Sequence, residues 1–280
     1  MVFLVAGTAA CGRKTATDAR SPVETLDTLL APDAVVAALR KVGGAHYHAT
    51  AFFRVDARRN NSDGTVPASP SAITTTTDLW LDKHGNYRLV ETNDQDGGRE
   101  IVRVGNEVAV ALRYGKMIRR SAQDSETARF LAEAVGAPWA AWEIARRQVD
   151  VASSDLLAYR WKPSSRVVDL AAGFPAASGL RTWRASVEVK TLDGRATVDE
   201  ASRALLEFVC KTTFQAMRDD VPVEGEMAVS STLDEIGNSP DIVMPTTDTL
   251  HPRQRTVLEE RALLGGLGAS LSSTLKKTRP

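Results

Sequence analysis

From Ser21 onward the apolar positions switch between two periods. Leu26, Leu29, Leu30, Val35, Val36 and Leu39 recur at helical spacing after Ser21-Pro22, and Gly43-Gly44 ends the run. Pro32 divides it into two pieces. Residues 46–56 then alternate, with Tyr47, Ala49, Ala51, Phe53 and Val55 on one face of a strand. Further strand patterns cover 73–82 (Ile73, Leu79 and Leu81 on one face), 87–91, 100–104, 108–112 and 116–120. Turn chemistry separates them: His84-Gly85-Asn86, Asp94 to Gly98, Gly105-Asn106 and Tyr114-Gly115. Residues 57–72, rich in Asn, Ser, Gly and Pro, read as a long hairpin loop.

The second half repeats the change of period. Asp124 or Ser125 is placed to cap a helix with Phe130, Leu131, Ala134 and Val135 on one face. Gly136 and Pro138 interrupt it, and a second piece carries Trp139, Trp142 and Ile144. Strand patterns return at 156–161, 182–192, 196–200, 205–214 and 223–233, with Asp193-Gly194 read as a turn. A Pro/Gly/Ala/Ser-rich connection fills 163–181, and a helix over 253–264 precedes a Gly/Ser-rich basic tail. The order is helix, strands, helix, strands, and each strand has one apolar face to bury. This predicts an α+β fold: a curved antiparallel half-barrel sheet of about 11 strands wrapped around covering helices. The domain spans 23–250, with 251–280 as a C-terminal helix and tail.

The N-terminus carries separate information. Met1 to Ala10 is apolar and ends in small residues, and Cys11-Gly12 follows. This resembles the end of a bacterial lipoprotein signal peptide (1–11), with a polar tether at 12–22. Thr8 stands where Leu is usual, and no Lys or Arg precedes the apolar run. The expectation is acylation at Cys11 and anchoring to a membrane through more than one chain. Gly12 replaces the Asp that resembles an inner-membrane retention signal, so the periplasmic face of an outer membrane is favoured. No other stretch approaches the ~18 apolar residues of a membrane span.

Composition narrows the chemistry. Lys+Arg and Asp+Glu are both 35 among 280 residues, so nothing calls for nucleic acid or an anionic surface. With Cys11 acylated, Cys210 has no partner for a disulfide within the chain. The sequence holds no HExxH, Walker loop or GxGxxG, and no GxSxG; Ala176 and Leu180 stand where the glycines flanking Ser178 should be. Asp94, Asp96, Asp193, Asp199 and Glu200 fall in expected turns or strand ends. His46 and His48 share the strand face opposite Tyr47 and Phe53; they could bind zinc if a third ligand arrived, and none is near in sequence. The expectation is a chain with no catalytic residue, metal or cofactor.

Three segments resemble one family. Gly85-Asn86-Tyr87-Arg88-Leu89-Val90 is similar to a turn and strand of the LolA/LolB lipoprotein-carrier superfamily, which includes the LppX/LprG lipoproteins and regulators related to RseB. Ile101 to Val108 resembles its strand, Gly-turn, strand hairpin, and Asp234 to Asn238 with Pro245 its closing turn and proline. The resemblance covers about 25–245 and implies an apolar cavity for acyl chains, with residues 124–148 as a lid. Phe53, Leu79, Leu81, Leu89, Val108, Val110, Trp139, Trp142, Trp183, Val187 and Met227 are the candidate lining. The same stripe also fits an ordinary filled core. The implied partners are a lipid or acylated protein, or a protein docked on the C-terminal helix.

Overall fold

The computed structural model describes residues 21–57, 71–153, 157–165, 186–218 and 221–245. Expectations for Cys11, the leader, tether residues 12–20, Trp183 and the helix beyond His251 lie outside these residues; Ser21 and Pro22, expected to end the tether, instead open the first helix.

Two short helices open the domain. At α1 (Pro22–Leu30) the Ser21 hydroxyl accepts from the Glu24 amide, and the Glu24 carboxylate accepts from the Ser21 amide, a reciprocal capping box. Pro32 cannot continue that helix, because it lacks an N–H, but it fits the first turn of α2 (Pro32–Lys41). Leu26 and Leu30 of α1, and Val35, Val36, Ala38 and Leu39 of α2, face inward.

Two antiparallel meanders make one open sheet. The first is β1 (Ala45–Ala57), β2 (Ser71–Leu81), β3 (Tyr87–Asn93), β4 (Gly98–Val104), β5 (Glu107–Leu112) and β6 (Ile118–Ser121). Helices α3 (Asp124–Ala134) and α4 (Ala137–Ala145) and a short 3₁₀ turn (Arg146–Gln148) follow. The second meander is β7 (Val149–Ser153), β8 (Ala158–Pro163), β9 (Glu188–Val198), β10 (Leu205–Arg218) and β11 (Val221–Asp234). β1 pairs with β11, so the order across the eleven strands is β6-β5-β4-β3-β2-β1-β11-β10-β9-β8-β7. The curved α+β half-barrel is thus present, with β6 and β7 at its edges.

Three details differ from expectation. Asp193-Gly194 lies within β9, where Gly194 pairs with Cys210 and Trp161, and is not a turn. The expected strands 182–192 and 196–200 are therefore one element over its described length, and β7, which was not foreseen, keeps the strand number at eleven. The residue before α3 is Gln123, with no side-chain cap; Asp124 lies inside the first turn, where its charge complements the helix dipole.

The helices lie on one face of the sheet and divide its core. One half joins α1 and α4 to β7–β11 through Leu26, Leu30, Trp142, Trp161, Phe208 and Phe214. The other joins α2 and α3 to β1–β5 through Val35, Leu39, Tyr47, Leu79, Leu89, Ile101, Phe130 and Leu131. Trp142 stands edge-on to Trp161, which also meets Phe208, with centroids 5.5 Å apart in each pair. No helix among the described residues is long and apolar enough to cross a membrane.

Candidate functional site

The helix-covered face of the sheet can be followed row by row from its register. One row runs Leu233–Tyr47–Leu79–Leu89–Ile101–Val110 across β11 to β5, all buried. The next runs Phe208–Ser231–Ala49–Thr77–Glu91–Arg99, and its middle is small or polar. Beyond it come Val229–Ala51–Thr75 and then Thr212–Met227–Phe53–Ile73. Along β1 the burial falls off in this direction: Tyr47 and Ala49 are buried, whereas Ala51, Phe53 and Val55 are only half-buried, as is Ile73 opposite Phe53.

The candidate lining residues therefore separate. Leu79, Leu81, Leu89, Val108 and Val110 are filled core beneath α2 and α3. Trp139, Trp142, Val187 and Met227 belong to the core beneath α1 and α4. The Trp142 indole donates to Asp27 at 2.6 Å, and Arg146 lies over the Trp139 ring. Phe53 is half-buried at the margin of that second core, its ring 6.2 Å from the ring of Phe214. Only Phe53 of the described candidates thus combines apolar character with access from outside; Ala51, Val55 and Ile73 join it without having been singled out. Their period-two positions marked the face, but not which part of it the helices leave open.

A charged cluster ends the Ala49–Thr77 row on its β3–β4 side. Arg99, almost fully buried, pairs with Glu91 directly across the strands and with Glu133 of α3 at 3.1 Å, and it lies over the Phe130 ring. Burial alone would lower the Arg99 pKa, but the two carboxylates outweigh it and hold the guanidinium above its ordinary value. Burial outweighs Arg99 at Glu133 and raises its carboxyl above the usual range. One Glu91 oxygen is buried with no hydrogen-bond partner among the described residues. Sequence reading missed this trio, because Glu91 and Arg99 sit at apolar-face positions of short strands and α3 supplies the third member.

Among the described residues, on either face of the sheet, no group of His, Cys, Asp or Glu is arranged to hold a metal ion. Cys210 is buried in β10 beside Trp161, and burial pushes its thiol up to about 12.

No family model matches the chain, and no curated protein matches it. Among solved structures it is similar to a lipovitellin chain described as showing lipid–protein interactions, at 6% identity and a TM-score of 0.24. That match covers 74% of this chain and only 27% of the lipovitellin chain. A second is a β-barrel-like protein of a domain of unknown function, DUF1849, from Brucella abortus, at 10% identity and a TM-score of 0.18, covering 69% of this chain and 98% of that one. Likeness this slight carries no argument about ligand or mechanism.

Proposed function

We propose that the chain is an envelope lipoprotein, acylated at Cys11, that binds an acyl chain, a lipid or a lipidated protein on the inner face of a LolA/LolB-like half-barrel. The observation that carries this is the half-buried apolar group Ala51, Phe53, Val55 and Ile73, continuous with buried Met227 and Phe214. An acyl chain laid there exchanges water for aliphatic and aromatic contacts at about 0.8 kcal/mol per methylene. Ten methylenes would gain about 8 kcal/mol before the cost of ordering the chain. Binding and hand-over need no bond chemistry, so the proposal is a carrier and not an enzyme. Localisation to the periplasmic side of an outer membrane belongs to the same proposal.

The second reading is a protein-interaction or stress-sensing module on the same sheet. It is favoured by how completely both cores are filled, with Leu79, Leu89, Val108 and Phe208 at 0% exposure. A partner's apolar side chains would then cover Phe53 and Val55.

A fluorescent acyl probe decides between them. The carrier predicts saturable uptake, weakened at least tenfold by Phe53→Asp or Val55→Asp with the fold intact by circular dichroism. Absence of uptake by the unaltered chain moves the assignment to the interaction module. Anchoring is tested separately: a metabolic palmitate label should enter the full chain and be lost in Cys11→Ser.

A further inference from the structure

The boundary between the two cores runs as a seam across the helix-covered face. On β1, Ala49 packs into the core of α2 and α3, whereas Ala51, the next residue on that face, packs against the core of α1 and α4. On β11, Ser231 separates Leu233 of the first core from Val229 of the second. On β2, Thr77 and Thr75 lie between Leu79 and Ile73. In the helical layer the chain passes from one core to the other at helix breaks, at Ala31–Pro32 between α1 and α2 and at Val135–Gly136 between α3 and α4. Neither α2 nor α4 has a side-chain cap at its start. Asp27 holds α1 to α4 through Trp142 and Arg146, and Glu133 holds α3 to Arg99 of β4, each within its own half.

Two buried polar atoms at this seam have no hydrogen-bond partner among the described residues. One is Glu91 Oε1, in the row of Ser231, Ala49 and Thr77. The other is the hydroxyl of Tyr47, which turns toward Ser231 but makes no hydrogen bond of ordinary distance and angle. A buried polar atom left unpaired costs free energy that is recovered when water reaches it. The closed arrangement is therefore penalised at the line where the two cores meet.

We propose that the helix pairs part along this seam, α1 with α4 and α2 with α3 moving as units, so that the folded chain exchanges between a closed state and one in which water reaches Ala49, Tyr47 and Glu91. The sheet beneath stays continuous, because β1 is hydrogen-bonded to β2 and to β11 along its length. The motion is a hinge of the helical layer about its two breaks. At the first, Pro32 has no N–H to lose. On the carrier reading, on which this use alone rests, the opened seam prolongs the Ala51–Phe53 group inward along β1, and an acyl chain bound there lies over Ala49.

The test is N-ethylmaleimide labelling of the folded full chain carrying Ala49→Cys, with each label placed by peptide mass. Cys210, buried in the core of α1 and α4, is the internal control. The introduced thiol should label about tenfold faster than Cys210, or more, without denaturant, since it needs only the seam to open. Adding Tyr47→Phe, which removes the unpaired hydroxyl and keeps the ring, should slow that labelling about fivefold or more. Circular dichroism establishes that each variant is folded; should Ala49→Cys fail to fold, Ser231→Cys, close in size to the residue it replaces, takes its place. Labelling no faster than at Cys210, or undiminished by Tyr47→Phe in a folded chain, overturns the proposal. Palmitate then tests the use: protection of the introduced thiol by bound palmitate supports entry along the seam, and binding without protection overturns it. Seam labelling in a chain that takes up no lipid would support the hinge and count against the carrier reading alone.

Discussion

Gly194 of β9 lies directly beneath the Trp161 indole of β8, and a Cβ at this position would overlap the ring. The same relationship recurs in the next two strands of the sheet, where Gly225 of β11 leaves room for the ring of Phe214 on β10. Both glycines let a large aromatic side chain lie flat across its neighbour while staying in register. Gly194→Ala should therefore cost about 1–3 kcal/mol through overpacking, read from the urea midpoint. An unchanged midpoint would show that Trp161 can move aside at no cost.

The Glu91–Arg99–Glu133 cluster should respond asymmetrically. Arg99→Ala leaves two carboxylates without their cation in a buried site and is expected to cost about 3–5 kcal/mol. Replacing all three together, with Glu91→Leu, Arg99→Met and Glu133→Met, should be near neutral or stabilising, since the desolvation cost of the charges disappears with them. Chemical denaturation of the two variants compares them directly. A triple variant less stable than Arg99→Ala would contradict this explanation.

Asp82 ties the β2–β3 turn to the segment after β11. Its carboxylate accepts from the His84 amide at 2.8 Å, the Asn86 amide at 3.0 Å, Asn86 Nδ2 at 2.9 Å and the Ile242 amide at 3.1 Å. Burial would raise its pKa, but together these hydrogen bonds outweigh that and hold it below the ordinary 3.8. A group with a depressed folded-state pKa stabilises fully above the unfolded value and loses that contribution as pH falls through the folded one. Asp82→Asn should thus cost about 1.5–3 kcal/mol at neutral pH and have a smaller penalty in acid. Urea midpoints taken downward from neutral pH should converge for the two chains below the carboxylate range.

Cys210 should be chemically silent in the folded chain. Burial both removes its thiol from reagents and suppresses the thiolate. Maleimide labelling at this site should require denaturant; rapid labelling of the native chain would mean that β10 opens at low cost.

The strands were legible where one face alone is buried, because alternation such as Tyr47, Ala49, Ala51 and Phe53 records the face directly. Pro32 and Gly43-Gly44 likewise marked real helix boundaries. Asp193-Gly194 misled because the same dipeptide that favours a tight hairpin also supplies the bare backbone that Trp161 needs. The period of a strand says which side chains share a face and not which helix covers them, so the apolar stripe gave no sign that it would divide between two cores. On the outer face the sequence marked His46 and His48 as neighbours but not the carboxylates that meet them. Pairing of β1 with β2 and β11 brings Asp78 and Asp234 to His46, and that register is a property of the assembled sheet.

The most direct measurement is native mass spectrometry of the purified chain, with lipid extraction, before and after incubation with added lipid, alongside Phe53→Asp. A non-covalent acyl species on the unaltered chain, depleted in the variant, is the predicted result. A clean apo mass with no uptake of added lipid would contradict lipid carriage and leave the half-buried Phe53 region as a surface for a protein partner.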